Sequence, residues 1–148
     1  MKSAYFAEGN DITSLDISTN TALTGLECND NQLTSLDIST NMALTYLSCD
    51  VNQLTSLDIS TNTALTDLEC NGNQLTSLDI YTNTALTNLA CADNQLTVAS
   101  VNSILTDLDT HGLSDGYLDL GGTNAAPTGA GVTAATSLTG KGWSVTTN

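Results

Sequence analysis

Apolar residues along the chain fall into two short alternating runs that return every 21 residues. In the copy from Leu54 to Gln74 (LTSLDISTNTALTDLECNGNQ) the runs are Leu57-Asp58-Ile59 and Leu68-Glu69-Cys70, each alternating in and out as a half-buried strand does. Asn62 follows the first run and Asn73 the second, where the chain must turn while its backbone groups stay hydrogen-bonded. Copies begin at Ile12, Leu33, Leu54 and Leu75 without insertion or deletion, and fourteen of the 21 positions hold the same residue in all four. A unit this short cannot bury its apolar face alone, so each copy is predicted to be one coil of a solenoid, with two short parallel strands per coil.

The period breaks after Leu96. Val98, Val101, Ile104, Leu105 and Leu108 then fall at helical spacing up to Gly112, which predicts an amphipathic helix whose stripe lies on the open end of the last coil and blunts its edge. A strand over Tyr117–Leu120, a helix through Val132–Leu138 opened near Pro127 and a strand over Trp143–Thr147 follow, delimited by Gly121-Gly122 and Gly140-Lys141-Gly142. Trp143 is expected in the core of this cap. At the other end, Lys2 to Ile12 aligns on Leu23 to Leu33, with Tyr5 for Leu26, Ala7 for Cys28 and Asn10 for Asn31. It reads as a degenerate half-coil whose Tyr5 and Phe6 cover the first coil, the alternative being an aromatic contact site. The layout is one continuous domain: residues 1–22 a capping half-coil and first convex strand, 23–96 the coils, 97–148 the cap.

The pattern L-x-x-L-x-C-x-x-N-x-L, read at Leu23–Leu33, Leu44–Leu54, Leu65–Leu75 and Leu86–Leu96, resembles a leucine-rich repeat. With the second run in segments such as Thr55–Ala64 (TSLDISTNTA), the chain from about Lys2 to Leu96 is most similar to the short, nested 21-residue class of bacterial and phage proteins. The segment GTNAAPTGAGVTAATSLTGKGWSVTTN resembles the closing segment attached to similar repeats in bacterial and phage surface proteins. The resemblance implies an α/β fold, a right-handed leucine-rich-repeat β-solenoid with a small C-terminal helix-strand-helix-strand cap. It further implies a non-enzymatic binding module that recognises a protein or glycan, as a cell-surface adhesion module or a phage receptor-binding or tail component. The scaffold has many uses, so a structural solenoid that self-assembles with the help of cations is the alternative.

Charge narrows the partners. Two basic residues against sixteen acidic ones give a net charge of −14, which repels nucleic acid and anionic membranes. No run of eighteen apolar residues is present, so no membrane insertion is expected, and a monomer or weak homo-oligomer is. The opening MKSAYFAEGN lacks the apolar stretch of a signal peptide, although an extracellular, cell-surface or virion setting suits the resemblance. Catalytic chemistry finds little support: GGTNAAPTGAG lacks the lysine and spacing of a phosphate loop, and Asp107, Asp109, His111 and Asp115 read more simply as the solvated end of a helix than as metal ligands. Cys28, Cys49, Cys70 and Cys91 occur once per coil at an inward position, unlike the paired ligands of zinc sites, and are expected to be free, buried thiols.

Variation between the copies is concentrated at Gly25/Tyr46/Asp67/Asn88, Glu27/Ser48/Glu69/Ala90, Asn29/Asp50/Asn71/Ala92 and Asp30/Val51/Gly72/Asp93. The first three sets alternate with the fixed Leu and Cys positions and should share one outward face. The candidate ligand-binding residues are therefore Glu27, Asn29, Tyr46, Ser48, Asp50, Asp67, Glu69, Asn71 and Asn88, with Tyr46 as anchor; random drift after duplication is the competing explanation. On the opposite wall Asp16, Asp37, Asp58 and Asp79 are uniform, with Ser14, Ser35, Ser56 and Ser77 beside them. Like charges roughly 4.8 Å apart cost on the order of 1 kcal/mol per neighbour, which salt screening, raised pKa values or a bound cation such as calcium would offset. No other cofactor is expected. The threonine rows Thr13/Thr34/Thr55/Thr76 and Thr19/Thr40/Thr61/Thr82 resemble the ladders of ice-binding surfaces, although the aspartate row beside them matches a flat ice plane poorly.

Overall fold

A computed structural model describes residues 4–7 and 9–148, the side chains of residues 4–6 excepted. The Leu-x-Cys runs form the strands: β1 (Ala4–Phe6), β2 (Gly25–Glu27), β3 (Tyr46–Ser48), β4 (Asp67–Glu69) and β5 (Asn88–Ala90). They continue into α1 (Val98–His111), β6 (Tyr117–Asp119), α2 (Ala130–Gly140) and β7 (Ser144–Thr146). All seven strands pair in parallel in chain order, with Leu26 beside Leu47, Leu47 beside Leu68 and Leu68 beside Leu89. Equivalent residues of successive copies therefore lie side by side. Tyr5 pairs with Leu26, as the half-coil alignment requires, while the covering role expected of the Tyr5 and Phe6 side chains lies outside the described residues.

The ladder continues past each strand, Cys49 N–H donating to Glu69 O at 2.8 Å and Cys70 N–H to Ala90 O at 2.8 Å. Next comes a residue in left-handed conformation: Asp30, Val51 and Asp93 at φ of 53°, 52° and 52°, and Gly72 at 63°. Asparagine then holds the corner. The Asn52 amide donates to Cys28 O at 3.0 Å, Cys49 O at 3.1 Å and Asp50 O at 3.1 Å, and its oxygen accepts from Leu33 N at 3.0 Å. Asn31, Asn73 and Asn94 repeat the arrangement, and Asn124 closes it by donating to Cys91 O at 2.8 Å and accepting from Leu96 N at 3.0 Å.

Among the described residues only one strand forms per coil. The Leu57-Asp58-Ile59 runs, expected as a second strand, form no ladder, because side chains take groups a ladder would use. Asp58 Oδ1 accepts from Ser60 N at 2.9 Å, and Asn62 donates to Ile38 O at 3.1 Å and Asn41 O at 3.0 Å of the preceding coil. Burial still alternates as foreseen: Ile38, Ile59 and Ile80 are at most 1% exposed, and Leu36, Leu57 and Leu78 at most 8%.

The helices also sit differently from the expected lid. The sheet runs on through β6 and β7, so α1 takes the place of the Leu-Asp-Ile run in the coil between β5 and β6, and α2 takes it in the next. Val101, Ile104, Leu105 and Leu108 are buried, whereas Val98, on the first turn, is 40% exposed. Thr97 Oγ1 caps α1 by accepting from Ser100 N at 3.3 Å, and Gly112 at φ 76° ends it. Trp143 lies in the cap core at 3% exposure, its indole N–H donating to Leu113 O at 2.9 Å.

Val51 carries a β-branched side chain at a φ of 52° while 54% exposed, so backbone strain there buys almost no burial. Val51→Asn should raise stability by about 1 kcal/mol, read as a higher urea midpoint with an unchanged slope; an unchanged or lower midpoint would remove the strain from the account.

Candidate functional site

The register assembles the variable positions into adjoining rows on the solvent side of the sheet. One row runs Gly25, Tyr46, Asp67, Asn88, Tyr117 and Ser144; its neighbour runs Glu27, Ser48, Glu69, Ala90, Asp119 and Thr146. Tyr46 and Asp67, side by side, share a face. Tyr117 and Asp119 join these rows although they lie beyond the repeats, and the sequence carries a signal for them: Tyr117-Leu118-Asp119-Leu120 repeats the pattern of Asn88-Leu89-Ala90-Cys91.

The side chains on this face engage one another. Tyr46 Oη donates to Glu69 Oε2 at 3.3 Å, Tyr117 Oη donates to Asp119 Oδ2 at 3.5 Å, and Asp67 accepts from Thr66 Oγ1 at 2.5 Å and Asn88 Nδ2 at 3.4 Å. Burial, aided by the neighbouring Glu69 and Glu27, holds the Tyr46 phenol above its ordinary pKa, and burial with Asp119 does the same for Tyr117. Both phenols stay neutral donors at pH 7. Glu27, Asp67, Glu69 and Asp119 make the face acidic, and Lys141 is drawn off elsewhere, 2.7 Å from Asp109 between the two helices.

Four of the sequence-predicted contacts, Asn29, Ser48, Asp50 and Asn71, sit apart from the others. Ser48 is on the outward side but is 2% exposed, a small residue flanked by Glu27 and Glu69. Asp50 and Asn71 lie past the strand ends and bond to the next coil: Asp50 Oδ1 accepts from Asn71 N at 2.6 Å, and Asn71 Oδ1 from Ala92 N at 2.8 Å. Asn29, in the equivalent position, is half-buried. Glu27, Tyr46, Asp67, Glu69 and Asn88 are half-buried too and stand on the strands themselves, where Asp119 and the exposed Tyr117 extend their rows.

On the other wall the uniform aspartates are turn formers. Asp16 Oδ1 accepts from Ser18 N at 3.0 Å and Ser18 Oγ at 2.7 Å, Asp37 does the same with Ser39 at 3.0 and 2.6 Å, and Asp79 accepts from Tyr81 N at 2.9 Å. Serine hydroxyl bonds, then the backbone bonds, hold Asp16, Asp37 and Asp58 below the ordinary value, the reverse of a row forced to keep its protons. Among the described residues no three His, Cys, Asp or Glu side chains gather as metal ligands. Thr40, Thr61 and Thr82 donate to the carbonyls of Ser18, Ser39 and Ser60 at 3.1, 3.2 and 3.1 Å, so these hydroxyls stitch coils together. Cys28, Cys49, Cys70 and Cys91 are free and fully buried; burial pushes the Cys28 thiol up to about 12 and Cys49 well up, and Cys70 is raised first by its contact with Cys91 and then by burial.

This architecture is that of a leucine-rich-repeat solenoid. The internalin InlF of Listeria monocytogenes superposes with a TM-score of 0.71 at 21% identity, over 88% of this chain and 36% of that one. The leucine-rich repeat domain of APL1B superposes at 0.65 with 22% identity, over 82% and 37%. InlJ of Listeria monocytogenes, whose functional domain includes a cysteine ladder, is 31% identical over 93% of this chain and 38% of that one, at a TM-score of 0.44. The chain thus spans little more than a third of the structures it matches. No family model and no curated protein matches the sequence.

Burial, the largest effect, raises the Asp50 pKa above its ordinary 3.8. The folded state then binds a proton more readily than the unfolded chain, so ionised Asp50 costs stability at pH 7 and the cost fades as pH falls through the raised value. Asp50→Asn keeps the oxygen that accepts from Asn71 N and matches Asn29 and Asn71. It should raise the melting temperature at pH 7, by about 0.5 kcal/mol in stability, and the gain should shrink as pH falls through the raised value and be gone by about pH 3, where wild type also loses stability as Asp16, Asp37 and Asp58 protonate. An equal effect at both pH values would contradict the assignment.

Proposed function

We propose that the sheet face between Glu27 and Asp119 is a docking surface for a protein partner carrying a lysine- and arginine-rich patch. The observation that carries this reading is the register: the positions that vary among otherwise uniform copies collect on this face of a rigid parallel sheet. Four carboxylates, from Glu27, Asp67, Glu69 and Asp119, share the face with two tyrosines, a pattern suited to ion pairs at the rim and cation–π contact at the anchors. Tyr46 is half-buried and tied to Glu69, so little of its freedom remains to be lost on binding. The shared fold with an internalin supports a binding role without assigning a ligand. Adhesion at a cell surface, or receptor binding by a phage particle, is the setting we infer. Among the described residues no helix is long and apolar enough to cross a membrane.

Panning a displayed random-peptide library on the wild-type chain, with the Tyr46→Ala/Tyr117→Ala variant as counter-selection, tests the reading. Enriched peptides should carry clustered Lys or Arg, lose about thirtyfold in affinity for the variant, and weaken as salt rises. Peptides that bind both proteins equally, or that lack basic residues, would contradict it.

A further inference from the structure

One departure from the repeat falls on the wall opposite the sheet. The residue after the Leu-Asp-Ile run is Ser18, Ser39 and Ser60 in three copies and Tyr81 in the fourth. Tyr81 stands 70% exposed, where a serine would serve the turn equally well. Its coil is also the one that meets α1. A helix about 10 Å across is thicker than the extended run it replaces, so a shoulder opens between the Tyr81 turn and the helix. Two adjoining hollows of about 490 and 510 Å³ occupy it, with Tyr81 and Asp107 lining both.

We propose that this shoulder binds a neutral pyranose, with Tyr81 as the stacking platform and Asp107 accepting from sugar hydroxyls. The tyrosine backbone is clamped on both sides: Tyr81 N donates to Asp79 Oδ1 at 2.9 Å, and His111 Nε2 lies 3.2 Å from Tyr81 O. A carbonyl oxygen only accepts, so that ring nitrogen carries the proton. An exposed aromatic plane on a fixed backbone costs little further entropy when a ligand stacks on it. Around the plane stand the hydroxyl-bearing Thr84 and Thr110 and the half-buried Asp107 carboxylate, an acceptor with two oxygens to offer a pair of adjacent hydroxyls. Asp107 and Asp79 repel an acidic sugar, so the ligand is uncharged. Each hollow has the volume of a small-ligand site.

The decisive variant is Tyr81→Ser, which restores the residue of the other three copies and leaves the turn intact. Backbone amide shifts of wild type, Tyr81→Ser and Asp107→Asn are followed during titration with methyl glucoside, methyl galactoside, methyl mannoside, N-acetylglucosamine and methyl glucuronide, and with spermidine. At least one neutral sugar should shift the amides around Tyr81 and along α1 with a Kd on the order of 1 mM, and both variants should lose about tenfold or more at unchanged melting temperature. The proposal is overturned if no neutral sugar shifts these amides, if Tyr81→Ser binds as wild type does, if the glucuronide binds as tightly, or if spermidine alone binds there.

Discussion

Everything in this molecule depends on a backbone that turns a corner every few residues yet keeps its polar groups bonded away from water. Leaving such groups unpaired in the interior would cost on the order of 1–3 kcal/mol each. The asparagine column solves this at the sheet corner. One amide, as at Asn52, reaches three carbonyls in two coils and takes an N–H with its oxygen, so each rung ties a coil both to itself and to its neighbour. A second column, Asn41, Asn62 and Asn83, works the other wall with bonds to the preceding coil.

Once the corners are fixed, stacked rows of Leu, Ile and Cys fill the interior. The thiols of Cys28, Cys49, Cys70 and Cys91 occupy the row that Leu120 takes over in the cap. Every coil touches chiefly the next, so stability is a sum of rungs and neighbouring layers, as in other repeat proteins. The outward residues of the sheet bond to one another and not to the buried rows, which leaves Tyr46, Asp67 and Asn88 open to change without cost to the core.

The repeat, its strand register, the cysteine row and the end of the helix at Gly112 were legible because each depends on residue type at fixed spacing. The Leu-Asp-Ile run was misread as a strand because alternation reports burial and not the identity of the hydrogen-bond partner; the Asp-x-Ser spacing that captures the backbone donors carried the information. Ser48 fell on the predicted side, but the size of its neighbours decides whether a small residue can be touched. Asp50 and Asn71 vary among polar residues because they bridge coils, and Asp30, Gly72 and Asp93 vary within what a left-handed backbone accepts, with Val51 the strained exception. Tyr117 and Asp119 were passed over because the exact period ends at Leu96 while the sheet does not.

A surface built from stacked copies is defined by register alone, and the roles assigned to the sheet face and to the shoulder at Tyr81 both presuppose that 21 residues make one complete coil. Inserting a second copy of Leu54–Gln74 after Gln74, beside a control lacking one residue of the insert, measures this directly by urea unfolding. The account predicts that the full insert unfolds in one transition with a steeper slope and a midpoint at or above wild type, while the shortened insert shifts every later asparagine off its rung and lowers the midpoint. Equal midpoints for the two insertions would contradict it.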